Sequence, residues 1–243
     1  MSEWFSDLKA QFILNFIDDD RWRYLLDGLG VTLEITVFAL LIGLTIGITV
    51  AIIRATHDNT IETMSPGLGK VILKILNTFS KIYLTVVRGT PVVVQLLIMY
   101  YIIFATSNNK IIVAVIAFGV NSGAYVAEIV RSGIMSIDKG QMEAGRSLGL
   151  SWMQTMRYVI LPQAFKQVIP PLGNEFISMT KETSLVSVIG FEELTRRGQL
   201  IIAKTYGSFE IWLTVAAIYL VMTLTIARLV SYLERRFATD DRN

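Results

Sequence analysis

The residues able to hold a polar solute fall in two stretches that are otherwise apolar. In the first, Arg88-Gly89-Thr90-Pro91 interrupts the hydrophobic run 71–105, with Gln95 one turn further on. Pro91 has no amide N–H and disfavours helical geometry at Thr90, so carbonyls near the break lose their helical partners and are freed for other donors. In the second, Asn174, Glu175, Lys181, Glu182, Thr183 and Ser184 follow Pro170-Pro171 within 168–190. An ionisable group at such a depth is costly unless it is paired or faces water, so it marks a pathway or a site. As helix, 92–105 rises about 21 Å and the step from Pro170 to Lys181 about 16 Å. Both marks fall toward the middle of a bilayer core about 30 Å thick. Two interrupted, polar helices meeting at one depth are how transporters build substrate sites. The same residues also suit a proline kink with an internal Lys181 to Glu175 or Glu182 ion pair that serves packing only.

The elements that must position these groups are membrane helices. Of 243 residues 53% are hydrophobic and only 17% charged, against about 25% charged in soluble domains. Absence of Cys and the single His57 exclude a disulfide scaffold, a thiolate zinc site and a cysteine nucleophile. A net charge of +2 argues against nucleic acid as a partner. Runs long enough to cross a bilayer occupy 31–53, 71–105, 111–130, 168–190 and 211–230, which predicts an all-α integral membrane protein with five transmembrane helices. Lys and Arg favour the side reached by Arg54, Lys70, the 132–167 loop and the carboxyl-terminal end. That bias puts the amino terminus outside and the carboxyl terminus in the cytoplasm.

Residues 1–28 have no basic start followed by an apolar run, so they read as an outer interfacial segment rather than a cleaved signal peptide. The membrane domain then extends over 29–235, and 236–243 form a cytoplasmic tail. Gly43 with Gly47, and Gly119 with Gly123, place small residues four apart, suiting either a permissive helix surface or a dimer seam. His57, beside Asp58 and Asn59, reads as a solvated loop residue rather than a metal ligand.

The one extended loop, 132–167, carries the signals of two short helices. Asp138 with Gln141, and Ser151 with Gln154, have capping-box spacing. Gly149 suits the turn after the first helix, and Leu161-Pro162 the end of the second. Such a hairpin, its face kept small by Ala144, Gly145 and Gly149, can enter a groove on another protein; it can equally be a linker between spans.

Glu143-Ala144-Gly145, then Gly149, then Val159-Ile160-Leu161-Pro162 resemble the loop signature of the membrane subunits of ABC importers. Gly145 stands where that family commonly has a second alanine, and Val159 where it has isoleucine. Arg88-Gly89-Thr90-Pro91 with Gln95-Leu96, Gly123-Ala124-Tyr125-Val126-Ala127-Glu128, and Gly173-Asn174-Glu175-Phe176 with Lys181-Glu182-Thr183-Ser184-Leu185 resemble the polar amino acid uptake branch, of histidine, glutamine or arginine type. The match runs from about residue 28 to 235.

The resemblance implies the type I importer permease fold in a bacterial inner membrane. It implies a homodimer or a heterodimer with a related permease, two cytoplasmic ATPase subunits and an extracytoplasmic amino acid binding protein. Glu143, Ala144, Gly145 and Gly149 would form the coupling element. No glycine loop with Lys and Ser or Thr for phosphate binding occurs, so the chain itself carries no cofactor, is not an enzyme, and relies on ATP and Mg held by its partners. Depth and polarity select Gly89, Thr90, Gln95, Lys181, Thr183 and Ser184 for the substrate: Lys181 and freed amides for the carboxylate, Gln95 for the side chain. The rival readings are a permease of another import branch (osmolyte or metal), a membrane-embedded enzyme using Glu175 and Lys181, and an ion channel.

Overall fold

The computed structural model describes residue 6 and residues 9–238, and every regular element among them is helical. Trp4 and Phe5, and most of the 236–243 tail, lie outside the described residues. Helix α1 spans Arg21–Thr60. The chain enters it through a bend where Asp19 and Asp20 adopt positive φ of 54° and 53°, a conformation that Asp tolerates better than most residues. Residues 21–28, expected in the interfacial segment, are therefore already the start of α1. His57 also lies inside α1, its Nδ1 3.2 Å from Asp58 Oδ1.

Helix α2 (Leu68–Gly89) and α3 (Val92–Ile98, prolonged by a π turn to Ile103) meet at an angle of 108°. Helix α4 (Lys110–Met135) is the most enclosed of the long helices. By length and composition, Lys9–Thr60, Lys110–Met135 and Ser208–Arg236 can each cross a membrane, and the bent α2–α3 pair can act as a fourth span.

Helix α1 packs along α4 through the paired glycines. A Cβ on Gly47 would lie 2.5 Å from Val126 Cβ, and one on Gly119 2.7 Å from Ile42 Cγ2. Gly43 faces Ser122, and Gly123 faces Ile46. Small residues four apart thus form a seam inside the chain. Residue numbers rise together along both helices, so α1 and α4 run parallel, and the chain between them has to travel back in the opposite direction.

Helix α5 (Lys139–Ser147) and the short α6 (Trp152–Thr155) form the expected hairpin. Ser151 and Gln154 make the full capping box, whereas Asp138 caps one-sidedly, accepting from Gly140 N at 2.7 Å. The second helix does not stop at Leu161-Pro162. A π turn (Met156–Ile160) carries it straight into α7 (Leu161–Glu182), which holds Pro170 and Pro171 inside rather than beginning after them. Pro162 sits in the first turn, where a missing N–H costs least. The inner pair lies within the helix, where each ring removes one backbone donor.

After α7 a 3₁₀ turn (Thr183–Ile189) leads to α8 (Leu194–Thr205) and the long α9 (Ser208–Ala238). Gly133 of α4 faces Val168, and Ser122 bonds Glu175, so α7 is antiparallel to α4. Leu194 lies at the level of Gly28 and Thr32, the start of α1. The chain therefore climbs from the far end of α4 to the near end of α1 between Ala164 and Leu194. There Glu193 caps α8, its buried carboxylate accepting from the Thr195 and Arg196 amides at 2.8 Å each and from Tyr219 OH at 3.0 Å.

Candidate functional site

At the break, Thr90 is extended (φ −121°, ψ 145°) and Pro91 opens α3. Gln95, one turn into α3, reaches back across the gap. Its Nε2 donates to Val87 O at 2.7 Å, Thr90 O at 3.0 Å and Thr90 Oγ1 at 2.7 Å. Two hydrogens serve three acceptors, so the break is stapled by a side chain standing in for missing backbone donors. Gln95 Oε1 in turn accepts from Asn121 Nδ2 at 3.0 Å.

Asn121 begins the connection to the other helices. Its neighbour Ser122 donates from Oγ to Glu175 Oε1 on α7 at 2.7 Å, and Tyr83 OH on α2 donates to Val120 O at 2.6 Å. Three consecutive residues at the middle of α4 therefore hold α2, α3 and α7 at one level. Asn121 and Ser122 are 5% and 2% exposed, and buried polar groups persist only when hydrogen-bonded. Asn121 and Ser122 stand in the sequence as adjacent polar residues at the centre of the run 111–130, but nothing local points to their partners.

The six selected residues divide into two groups. Thr90 and Gln95 meet directly, and Gly89 lines a cavity of about 470 Å³ beside them, with Arg54, Lys81, Leu84, Thr85, Arg88 and Glu128. Lys181 and Ser184 share another depression, of about 290 Å³, with Ser178, Glu182 and Leu185. Thr183 is buried, its Oγ1 donating to Thr180 O at 2.7 Å, while Ser184 Oγ donates to Lys181 O at 2.7 Å. The two depressions share no lining residue. A further depression, of about 670 Å³ between α1 and α9, is lined by side chains such as Leu33, Leu213, Val221 and Ile226, which suit hydrocarbon rather than a hydrophilic solute. Among the described residues no group of His, Asp and Glu is arranged to hold a metal ion.

In the hairpin, Gly145 is buried and a Cβ there would lie 2.5 Å from Thr155 Cγ2, so its lack of side chain brings α5 onto α6. Gly149 takes φ +86°, and Leu150 N donates to Gly145 O at 3.2 Å, closing the turn. Glu143 and Ala144 are exposed, with Glu143 O accepting from Ser147 Oγ at 2.9 Å. Leu148, Met153 and Tyr158, in the hairpin and the π turn after it, are 84%, 65% and 64% exposed.

Comparison with known proteins bears on the family and the fold. Residues 63–239 match the family described as binding-protein-dependent transport system inner membrane component. The chain is 47% identical over 166 residues to the glutamine transport system permease protein GlnP of Escherichia coli (strain K12), covering 67% of this chain and 76% of the relative. It is 36% identical over 221 residues to the arginine transport system permease protein ArtQ of Bacillus subtilis (strain 168), covering 90% and 94%. A solved amino acid ABC transporter with histidines superposes with a TM-score of 0.78 at 42% identity, over 91% of this chain and 98% of the other. The MetNI methionine ABC transporter, 19% identical, shares the fold with a TM-score of 0.73 over 88% and 96%. With a broken polar helix level, an apolar-tipped hairpin and a family match across most of its length, the chain belongs to the binding-protein-dependent transport system inner membrane components.

Proposed function

We propose that this chain is the membrane permease subunit of an ATP-driven importer of polar amino acids. The observation that carries the reading is the level at mid-α4, where Gln95 staples the break in α2–α3, Asn121 holds Gln95, and Ser122 holds Glu175. Break and polar helix are tied to one rigid wall, so a solute halted there senses the position of both. The naming of relatives for glutamine and arginine transport supports an amino acid over an osmolyte or a metal.

Packing levels support five crossings: α1 inward, α2–α3 outward, α4 inward, α7 to Leu194 outward and α9 inward. The charge bias in the sequence then puts the amino terminus outside and the carboxyl terminus in the cytoplasm. The hairpin with Glu143, Ala144, Gly145 and Gly149 faces that side. Its exposed Leu148, Met153 and Tyr158 dock an ATPase subunit, which brings ATP and Mg. A second permease copy or a related chain completes the pathway, and an extracytoplasmic binding protein delivers the amino acid. Closure of two ATPase subunits pulls the paired hairpins together; α7, continuous with the hairpin through the π turn, carries that motion to Glu175 and Lys181.

For substrate contact we keep Gly89, Thr90, Gln95, Lys181, Thr183 and Ser184. The exposed Lys181 offers charge to a carboxylate, and exchange of Gln95's bonds at the break frees backbone groups and its own amide together. Uptake and substrate-stimulated ATPase of the assembled complex in proteoliposomes test the reading, with Lys181→Met and Gln95→Ala expected to lose at least about tenfold in uptake. Unchanged uptake and ATPase in both variants would sink it.

A further inference from the structure

On the inner side of the break, cations outnumber the carboxylates that could neutralise them. Arg54 of α1, Lys81 and Arg88 of α2 and Glu128 of α4 line the cavity of about 470 Å³, a volume within the range of small-molecule sites. Glu128 is already held: Oε1 accepts from Arg131 at 2.9 Å, while Oε2 lies 3.6 Å from Arg88 Nη1. Arg131 also reaches Asp58 at 3.8 Å. Four cations thus stand around two carboxylates, and the longer Arg88 contact is the one that yields most easily to another anion. Arg54 Nε is buried without a hydrogen-bond partner. Among the described residues neither Arg54 nor Lys81 has a carboxylate within ion-pair distance.

The direction of this charge matters as much as its amount. At 100° per residue, Lys70, Lys74, Lys81 and Arg88 fall within an arc of about 40° on α2. The opposite arc carries Ile75, Phe79, Ile82 and Val86, which are 50%, 67%, 54% and 56% exposed and suit lipid or an apolar partner. The cation stripe therefore adjoins the bundle-facing side, where Asn77 and Leu84 are buried. It climbs from the cytoplasmic end of α2 to Gly89 at the break.

We infer that this cavity is an anion site that takes the carboxylate of the amino acid after it leaves the level of Gln95, with Arg54, Lys81 and Arg88 as its donors. The site rests on the importer reading and adds a step on the cytoplasmic side of it. Charge-assisted bonds from guanidinium and ammonium to a carboxylate are the strongest single contacts available there. The charge surplus supplies the attraction, and Glu128 limits it, so the ligand is drawn in without being trapped.

The test uses the permease assembled with its ATPase subunits in phosphatidylcholine nanodiscs, titrated with sodium acetate, and with acetamide and sodium chloride at matched concentration. Acetate is expected to raise the melting temperature while acetamide and chloride do not. Lys81→Gln is expected to weaken the half-effect concentration by about tenfold, and Lys81→Arg to restore most of it. Lys81 is exposed and unpaired, so neither variant threatens folding. Equal stabilisation by chloride, or an acetate response unchanged in Lys81→Gln, overturns the site. Loss of the acetate response when phosphatidylglycerol replaces part of the lipid also overturns it, because a lipid phosphate then holds the cavity. Uptake measured on the same complex after reconstitution into sealed proteoliposomes separates the two claims. A complex that takes up no amino acid removes the importer reading, and one that transports but ignores acetate removes only this site.

Discussion

Helix α4 has two faces that do opposite things with the same central residues. Toward α1 it presents Gly119 and Gly123, and the helices approach until a single added carbon would collide with a neighbour. Toward α3 it presents Asn121, while Ser122, at the edge of the α1 seam against Gly43, turns its hydroxyl to α7; contact here is made through single directional bonds to Gln95 and Glu175. The first face has many small dispersion contacts and one arrangement. The second has few bonds, each replaceable by a ligand or by water. In a membrane, where apolar burial gives no drive for helices to associate, close backbone approach makes the permanent joint and hydrogen bonds make the exchangeable one.

The comparison is most severely tested on the close seam. Gly47→Leu drives a side chain into Val126 and Ala127 N, and is expected to cost at least about 3 kcal/mol. The permease should then be lost from the monodisperse peak in fluorescence-detected size exclusion. Gly30→Leu, on the same helix but with nothing within 4 Å of an added Cβ, should behave as the native protein. Equal behaviour of the two would break the distinction.

Next comes the staple. Gln95→Leu leaves Val87 O and Thr90 O without their donor and Asn121 without its acceptor, about 1–3 kcal/mol. The protein should still purify, with a lower melting temperature. Gln95→Glu keeps an acceptor for Asn121 but removes the donors, so it separates stapling from the α4 contact. If its loss of uptake is small, the bond to Asn121 matters more than closing the break.

Ser122→Ala removes one hydrogen bond to Glu175, worth about 1 kcal/mol, and should lower uptake a fewfold with little change in melting temperature. Smallest is Thr45→Val on the exposed side of α1. The Thr45 hydroxyl only bonds its own helix at Leu41 O, 2.8 Å away, and a change within about 0.5 kcal/mol is expected. A larger effect would show that this surface, too, is an interface.

Much of the arrangement was legible in the residues. The break at Arg88-Gly89-Thr90-Pro91 follows from proline's missing donor, and the hairpin from Ser151 with Gln154 and the turn at Gly149. The glycine pairs announced close contact without naming a partner, since spacing defines a surface and not what meets it. The starting point of α7 was misread because Pro162, Pro170 and Pro171 look like boundaries in a linear chain. Gln95 reads as a substrate ligand in the sequence, and the fold adds bonds across the break and to Asn121 that no local pattern announces.

The sequence by itself determined that this chain lives in lipid, where it is interrupted, and that the 132–167 loop forms a helical hairpin, because hydropathy, proline and capping act over a few residues. The tertiary structure alone decided that α1 and α4 are parallel and glycine-sealed, and that Gln95, Asn121, Ser122 and Glu175 share a level. Those facts depend on register between helices far apart in the chain; the Ser122 to Glu175 bond alone joins residues 53 apart. Register is set by packing the whole bundle, which no local pattern encodes.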